Sequence, residues 1–286
     1  EESAVRDGEL FVALDVRQDQ RSDHQESLVR IASTIRPQWL EELFAHCLRR
    51  EQAVEFDPQR RQVVGVTRLW YRDLLLRQSA GGPVDPRQAS TLLADVLRRE
   101  ARGIFEADEA AARLLARVDL LRRHMPEHRW PALDDAQLAQ LLADASQGKR
   151  SIDDIRRSSL AALLRGLMPY PLDRLLDEHA PDAIQVPSGS RIRLTYSADR
   201  PPVLAVRLQE VFGWTDTPRV AAGRVRVLLH LLGPNYRPVQ ITDDLRSFWS
   251  TTYFQVRKDL RVRYPRHAWP EDPLTAKPQA KGGRKR

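Results

Sequence analysis

Two interruptions divide this chain into three stretches and limit its fold more than any other feature. The first is Gly81-Gly82-Pro83, where strand-forming residues give way to leucine-rich helical patterns. The second lies at Ala183, where short β-branched runs return. The glycine backbone has too much conformational freedom, and the proline backbone too little, to continue a regular helix or strand across such points. The sequence therefore predicts an α+β, multi-unit fold.

Residues 1–80 predict a small β-rich, OB-like unit with an inserted helix. Leu10–Val16 and Ser27–Ile35 have the composition of strands, Val54–Thr67 that of a hairpin, and 69–77 continues as strand. An OB-like barrel needs five strands and about four are visible, so either one strand lies upstream or the barrel interpretation is wrong. The inserted helix begins at Pro37 and carries one apolar stripe. Its members are Trp39, Leu40, Leu43, Phe44, Cys47 and Leu48.

Residues 84–182 predict a central helical layer. Asp85-Pro86 is a helix start, and Gly103 is the expected end of that helix. Asp108 is the expected N-cap of a second helix, and Asp134-x-x-Gln137 and Ser151-x-x-Asp154 indicate further starts.

Residues 183–273 predict a C-terminal α+β unit, followed by a disordered basic tail at 274–286. We expect a hairpin of Ile184–Val186 with Ser190–Tyr196, a short helix at Val203–Phe212 and a buried strand at Val225–Leu231. Thr242 is the expected N-cap of a helix that continues to about Arg263. The last ten residues lack apolar groups and carry five Lys or Arg, which is typical of disorder.

No phosphate-binding loop is visible, so the sequence predicts no cofactor for this chain. The nearest approach is Ser146–Ser151. Ala143 stands where such a loop has its first glycine, and Arg150 stands where Ser or Thr would bind magnesium. We therefore interpret Gly148-Lys149 as the end of a helix.

Three further polar pairs favour structural over catalytic interpretations, and we expect no catalytic residue and no metal site. Pro126 would break a zinc-binding helix between His124 and His128. Cys47 lies beside His46 but on an apolar stripe, as a core cysteine would. Asp243-Asp244 follows a predicted N-cap, where acids favour the helix dipole.

Charge is distributed unevenly along the chain. Residues 183–286 carry 19 Lys and Arg against 8 Asp and Glu, a net charge of +11, whereas the whole chain has +7. Such an excess at one end predicts a polyanionic partner. No apolar run approaches the ~20 residues that span a bilayer, and the single Cys47 excludes an internal disulfide. We expect a soluble, cytoplasmic protein without a membrane partner.

The basic residues near the C-terminus form the candidate nucleic-acid site. On a continuous helix 243–263, Arg246, Arg257 and Arg261 project within about 60° of each other, opposite Phe248 and Trp249. These three form the predicted phosphate-contacting stripe. Like-charged neighbours extend it: Lys258, Arg263 and Arg266.

The segment Tyr264–Pro273, here called the exit segment, is predicted to pack back onto the C-terminal unit. Trp269 is large and apolar, and Pro265 and Pro270 lower the entropy cost of fixing the chain around it.

Several long runs resemble the C-terminal region of the bacterial DEAH-type ATP-dependent helicase family HrpB. The runs are Val186–Arg193, Tyr196–Glu210, Phe212-Gly213, Val227–Leu232, Arg237–Gln240, Leu245-x-x-Phe248-Trp249 and Arg263–Pro273. They cover about residues 184–273, while 1–182 resembles the segment that follows the motor in the same family by order and composition.

The resemblance implies that this chain is the accessory portion of such a helicase, with ATP and magnesium bound only by motor domains outside it. It implies RNA or single-stranded nucleic acid and those motor domains as partners, and no activity for this chain alone. The alternative is a protein–protein docking module that uses the apolar and aromatic surface of the C-terminal unit. Salt dependence separates the two, because phosphate binding weakens steeply with salt and an aromatic anchor does not.

Overall fold

The computed structural model describes residues 10–18 and 27–280, and the chain divides into two compact units. Unit 1 contains Glu1–Leu93 and Ser146–Ile152, and unit 2 contains Ala94–Ala145 and Asp153–Arg286. Each unit combines helices and strands, so the fold is α+β, as predicted.

The described strands of unit 1 form two separate antiparallel sheets. One is a hairpin of two strands, and the other is a three-stranded meander in the order β3-β4-β5. The predicted OB-like barrel is not confirmed, because no pairing joins the two sheets among the described residues. The elements are β1 (Leu10–Gln18), β2 (Ser27–Ile35), α1 (Pro37–Leu43), β3 (Leu48–Asp57), β4 (Gln62–Tyr71) and β5 (Leu74–Ala80).

The predicted hairpin within 54–67 is confirmed, with Asp57 opposite Gln62, but the continuous strand at 69–77 is wrong. A turn at Arg72 divides it, because Arg72 takes a left-handed φ of 51° that no strand residue adopts. Trp70 and Leu75 then face each other across an antiparallel pair.

The inserted helix is shorter than its apolar stripe. It ends at Leu43, a 3₁₀ turn covers Ala45–Cys47, and Leu48 already begins β3. Of the six stripe residues only Leu40 is buried, and Cys47 is half-buried rather than part of a core. Trp39, Leu43 and Phe44 remain exposed.

Glycine is required where β4 meets the chain that leaves β5. A Cβ on Gly65 would lie 2.7 Å from the carbonyl oxygen of Gly82, and the Gly81 N–H donates to the Gly65 oxygen at 2.9 Å. Backbones this close leave no room for a side chain. The glycines that mark the first interruption therefore pack against the meander.

The first four helices of the predicted helical layer begin at the predicted start signals. Asp108 accepts from the Ala111 N–H at 2.8 Å, and Asp134 accepts from the Gln137 N–H at 2.9 Å, so both N-caps are confirmed. Gly103 does not end its helix and lies within it, with open space around its Cα. The bounds are α2 (Pro86–Glu106), α3 (Glu109–His124), α4 (Asp135–Ala145), α5 (Ile152–Arg157), α6 (Leu160–Arg165) and α7 (Leu172–His179). No helix in the described ranges is both long and apolar enough to cross a bilayer.

A five-stranded sheet organises the rest of unit 2, in the order β12-β11-β8-β7-β6. Strand β11 runs parallel to β8, and the other neighbours are antiparallel. The strands are β6 (Ala183–Gln185), β7 (Arg191–Ser197), β8 (Arg200–Arg207), β9 (Arg219–Val220), β10 (Val225–Arg226), β11 (Leu228–Leu232) and β12 (Pro238–Thr242). Two helices follow, α8 (Leu245–Ser250) and α9 (Tyr253–Arg263).

The helix predicted at Val203–Phe212 is wrong. The first part of this range is strand β8, and only a 3₁₀ turn at Leu208–Glu210 is helical. Leu204 and Val206 are buried at every second position, which is the period of a strand between two neighbours. The predicted strand Val225–Leu231 is likewise divided, since β10 pairs with β9 and β11 joins the main sheet.

Candidate nucleic-acid interface

The helix expected over 243–263 is two helices with a break between them. Asp244, not Thr242, is the N-cap, and its carboxylate accepts from the Ser247 N–H at 3.0 Å. Thr242 ends β12, and its hydroxyl accepts from the Asp244 N–H at 3.0 Å. Asp243 is exposed and outside both helices.

The break lies at Thr251-Thr252. The hydroxyl and the backbone N–H of Thr251 both donate to the Ser247 carbonyl, at 2.7 and 3.0 Å, and the Thr251 backbone departs from ideal helical angles with φ −118° and ψ −67°. A threonine hydroxyl that bonds the carbonyl four residues before it bends a helix. Side chains before and after the break therefore do not keep the angular relation of one continuous helix.

The large aromatic side chains around the break form the core of this region. Phe248, Trp249 and Tyr253 are buried together with Phe212, with ring centroids 4.9 to 6.5 Å apart. Trp249 also donates to the Trp214 carbonyl at 2.8 Å. These rings are occupied by intramolecular packing, so they are not a surface for a protein partner.

Two of the three predicted stripe residues are held by other protein groups. Arg246 donates to Asp216 at 2.8 Å. Arg257 donates to the Trp269 carbonyl at 2.9 Å and to Glu271 at 3.1 Å, and its side chain is only 18% exposed. The structure therefore does not bring Arg246, Arg257 and Arg261 together as one free stripe.

Four other predicted cations remain exposed. Within the described part of the chain, no hydrogen bond or ion pair engages them, and they are Lys258, Arg261, Arg263 and Arg266. On α9, Lys258 and Arg261 project within about 60° of each other, whereas Arg263 points to the opposite side. Lys258 and Arg261 are therefore the pair on one helix face that is free to meet a phosphate.

Phe254 lies on the same face and is 53% exposed. Its ring centroid is 5.9 Å from that of Tyr253, in a T-shaped arrangement. Sequence analysis does not single it out, although its spacing of four and seven residues from Lys258 and Arg261 is visible in the sequence.

The exit segment packs back on unit 2, as predicted. Trp269 is 8% exposed and donates to the Tyr264 carbonyl at 2.9 Å. The Tyr253 hydroxyl donates to the Pro270 carbonyl at 2.8 Å, and burial raises the pKa of Tyr253 to about 12. The Gly213 N–H donates to the Pro273 carbonyl at 2.9 Å. Arg257 is thus a support of this segment.

The disorder predicted from residue 274 does not extend to the described residues 274–280. The backbone N–H of Leu274 and the hydroxyl of Thr275 donate to Asp272 at 2.9 Å and hold the pKa of that carboxyl below its ordinary value. The Gln279 N–H donates to the Gln209 carbonyl at 2.8 Å. The rest of the predicted tail, 281–286, lies outside the described residues.

The stretch that comes nearest to a phosphate-binding loop is a structural turn. Gly148 has a left-handed φ of 71°, and its N–H donates to the Ser90 hydroxyl at 3.0 Å. The Arg150 carbonyl accepts from the Val63 N–H at 2.7 Å, so this stretch pairs with β4. Its backbone does not fit a nucleotide phosphate, because the amides that would form a cradle are used within unit 1.

The remaining candidate pairs also have structural roles. The chain leaves α3 after His124, and a 3₁₀ turn at Pro126–His128 prevents a shared helical face with His128. Asp244 serves as the N-cap of α8. In the described ranges, no group of three or more His, Cys, Asp or Glu side chains is arranged to hold a metal ion.

Comparison with known proteins relates this fold to the C-terminal region of a class of helicases. Residues 141–273 match the family described as "ATP-dependent helicase C-terminal". The chain is 34% identical over 247 residues to the ATP-dependent RNA helicase HrpB of Escherichia coli K12, which covers 84% of this chain and 30% of that protein.

Solved structures agree with this assignment. The crystal structure of the E. coli DExH-box NTPase HrpB superposes with a TM-score of 0.67 at 29% identity, covering 95% of this chain and 34% of that one. A second crystal structure, of the E. coli DEAH/RHA helicase HrpB, gives a TM-score of 0.58 at 29% identity over 91% of this chain and 32% of that one. The chain belongs to the HrpB helicase family and corresponds to its C-terminal region. It spans about a third of the length of these relatives.

Proposed function

We propose that this chain is an accessory region that binds RNA, or another single-stranded nucleic acid, within an ATP-dependent RNA helicase. The observation that carries the proposal is the face of α9, where Lys258 and Arg261 are exposed and unpaired among the described residues while Arg246 and Arg257 are tied to protein groups. Arg263, on the other side of α9, and Arg266, beyond its end, add positive charge to the same region.

Free cations are the groups that bind phosphate most effectively. An arginine that already donates to a carboxylate has part of its charge neutralised and fewer free donors, whereas Lys258 and Arg261 keep their full charge and all their donors among the described residues. Each neutralised phosphate of a single strand releases condensed counterions, so log K falls with log salt by about 0.7 per contact. The proposal therefore predicts both an affinity and a salt dependence.

The test is a titration of single-stranded RNA with the chain and its variant Lys258→Glu/Arg261→Glu at two salt concentrations. We expect the variant to bind at least about tenfold more weakly and its salt slope to fall by about 1.4, for two lost contacts. Residues 281–286 contain four of the basic residues, so every protein in the comparison lacks them.

The matched control is Arg156→Glu/Arg174→Glu. These two arginines are exposed on α5 and α7, have no hydrogen-bond or ion-pair partner among the described residues, and give the same change in net charge. An equal loss of affinity in both double variants would mean that only net charge matters, and the site on α9 would be rejected. Duplex RNA in the same series tests the preference for a single strand.

A second candidate function is protein docking, and it rests on unit 1 rather than on the C-terminal unit. Hydrophobic side chains of its first hairpin and helix are 42 to 69% exposed: Phe11, Val12, Leu14, Val16, Ile31, Trp39, Leu43 and Phe44. Exposed apolar groups at this density are typical of a protein interface. The helicase motor is the partner that we propose for this surface, and its association would persist at salt concentrations that abolish RNA binding.

A further inference from the structure

A groove lies beside Phe254 on unit 2. Its volume is about 640 Å³, and its apolar wall is formed by Trp249, Phe254, Pro273 and Leu274. Phe254 and Leu274 are 53% and 43% exposed, whereas Trp249 is 4% exposed and presents only part of its ring. The wall is thus apolar and open to solvent, and it includes one accessible aromatic side chain.

The position of Phe254 is defined by its surroundings despite this exposure. Tyr253 at the start of α9 is buried in the core, and Phe254, the next residue, is exposed. The T-shaped contact with Tyr253 supports one side of the Phe254 ring. The exit segment, held by Arg257 and Tyr253, supplies Pro273 on the other wall of the groove.

The charged residues around the groove favour an uncharged group inside it and phosphates outside it, along α9. Glu271, Asp272 and Arg246 also line the groove. Arg246 is paired with Asp216 and Glu271 with Arg257, so the carboxylate of Asp272 is left to disfavour a phosphate inside the groove. The free cations Lys258 and Arg261 flank Phe254 one and two helical turns along α9. A ligand that fits both features has an uncharged planar group in the groove and phosphates along the helix.

We propose that the groove at Phe254 receives an unstacked base of a single-stranded nucleic acid, with the neighbouring phosphates on Lys258 and Arg261. This inference rests on the proposed nucleic-acid binding and names the part of the ligand that each side chain contacts. Aromatic rings stack bases of any sequence, because every base has a π-face. The carboxylates of Glu271 and Asp272 have acceptor sites beyond those used by Arg257, Leu274 and Thr275, and the exocyclic amino groups of adenine, cytosine and guanine are donors that the sugar–phosphate backbone lacks.

The test uses the full chain and two probes, a 12-residue single-stranded RNA and the same backbone without bases. Phe254→Leu removes the aromatic face and keeps an apolar side chain of similar size. We expect Phe254→Leu to weaken binding of the RNA at least about fivefold and to leave binding of the abasic strand unchanged. The salt slope stays the same, because no phosphate contact is lost. We expect Phe254→Trp, which keeps an aromatic face, to bind the RNA with about the affinity of the wild type, unlike Phe254→Leu.

Val262→Ala is the matched control, because Val262 is 79% exposed on the same helix and does not line the groove. If the wild type and Phe254→Leu bind the RNA equally well, the base-stacking proposal is wrong, whereas the proposed phosphate contacts are unaffected. The groove is then assigned to an apolar side chain of a partner protein instead. Absence of binding to both probes overturns the proposed function itself. An equal loss in Val262→Ala and Phe254→Leu also rejects a specific role for the groove.

Discussion

At the scale of single residues, the most consequential assignment is that of Arg257. Its position on the helix resembles that of a phosphate-contacting arginine, but both of its polar edges donate to the exit segment. Helical spacing defines a direction of projection, whereas the partner of a long side chain depends on which segment returns to meet it. Arg257 is therefore assigned to stabilising the folded chain and not to contacting phosphate.

Arg257→Met is expected to destabilise the chain by about 1–3 kcal/mol, because the half-buried carbonyl of Trp269 loses its donor. Thermal unfolding with and without denaturant measures this change. Arg261→Met is the matched control, since Arg261 is exposed and has no hydrogen-bond or ion-pair partner in the described part of the chain. We expect no measurable change of the melting temperature there, and the reverse ranking of the two variants would contradict the assignment.

At the scale of elements, the exit segment shows how irregular chain is held in place. It lacks helix and strand, yet Trp269 is buried and the carbonyls of Trp269, Pro270 and Pro273 all accept hydrogen bonds from unit 2. Prolines reduce the conformational entropy that is lost when such a segment docks. The packing of the Trp269 side chain therefore holds this segment in place of the backbone hydrogen bonding of a regular helix or strand.

Trp269→Ala should lower the free energy of unfolding by about 2–4 kcal/mol, the usual range for truncating a buried aromatic side chain. Chemical denaturation provides the measurement. Arg266→Ala in the same segment removes an exposed side chain and is expected to leave stability unchanged. A midpoint for Trp269→Ala that equals that of Arg266→Ala would show that the docked conformation adds nothing to stability.

Also at the scale of elements, the break between α8 and α9 is a feature that the amphipathic pattern conceals. The residues from Leu245 to Leu260 fit one helical period, so a single helix is the natural prediction. The break at the two threonines divides this period into α8 and α9. Phe254 is exposed on α9, on the side opposite Leu245 and Leu260, where one continuous helix would also place it.

At the scale of the whole molecule, acid stability is expected to depend on a cluster within unit 2 that joins α3, α6 and α7. Arg117 is 4% exposed and donates to Asp177 at 2.6 Å, and Arg165 donates to the same carboxyl at 3.0 Å. Burial opposes ionisation of Asp177, but the hydrogen bonds from Arg165 and Arg117 outweigh it and hold its pKa below the ordinary value of 3.8. The charged carboxylate is thus favoured in the folded state.

This lowered pKa determines the direction of the pH dependence. A group whose folded pKa lies below its unfolded pKa contributes stability above the unfolded value and loses it as the pH falls through the folded value. Asp177→Asn should therefore lower the melting temperature at pH 5, and the difference from the wild type should narrow towards pH 2.5. Asp199→Asn is the control, since that carboxyl is 96% exposed. A difference that stays constant with pH would exclude this linkage.

Residue patterns of short range were sufficient for much of the fold. The N-caps at Asp108 and Asp134, the hairpins at 57–62 and 185–191, and the burial of Trp269 all follow from local chemistry or from the cost of exposing a large apolar group. These features do not depend on which distant segment lies nearby. Two stretches were assigned wrongly as single helices, Val203–Phe212 and Thr242–Arg263. Their local hydrophobic pattern is ambiguous, so their structure depends on contacts with distant segments.

The sequence by itself determined the α+β class, the start of most helices, the excess of positive charge at one end and the absence of a nucleotide-binding pattern. Only the tertiary structure decided which cations are free: Lys258 and Arg261 are, whereas Arg246 and Arg257 meet Asp216, Glu271 and a carbonyl oxygen. The physical reason is that charge and helical direction are properties of the local chain. The pairing of a charge depends on distant groups that folding brings close, such as Asp216, which lies 30 residues from Arg246 in the chain and 2.8 Å from it in the structure.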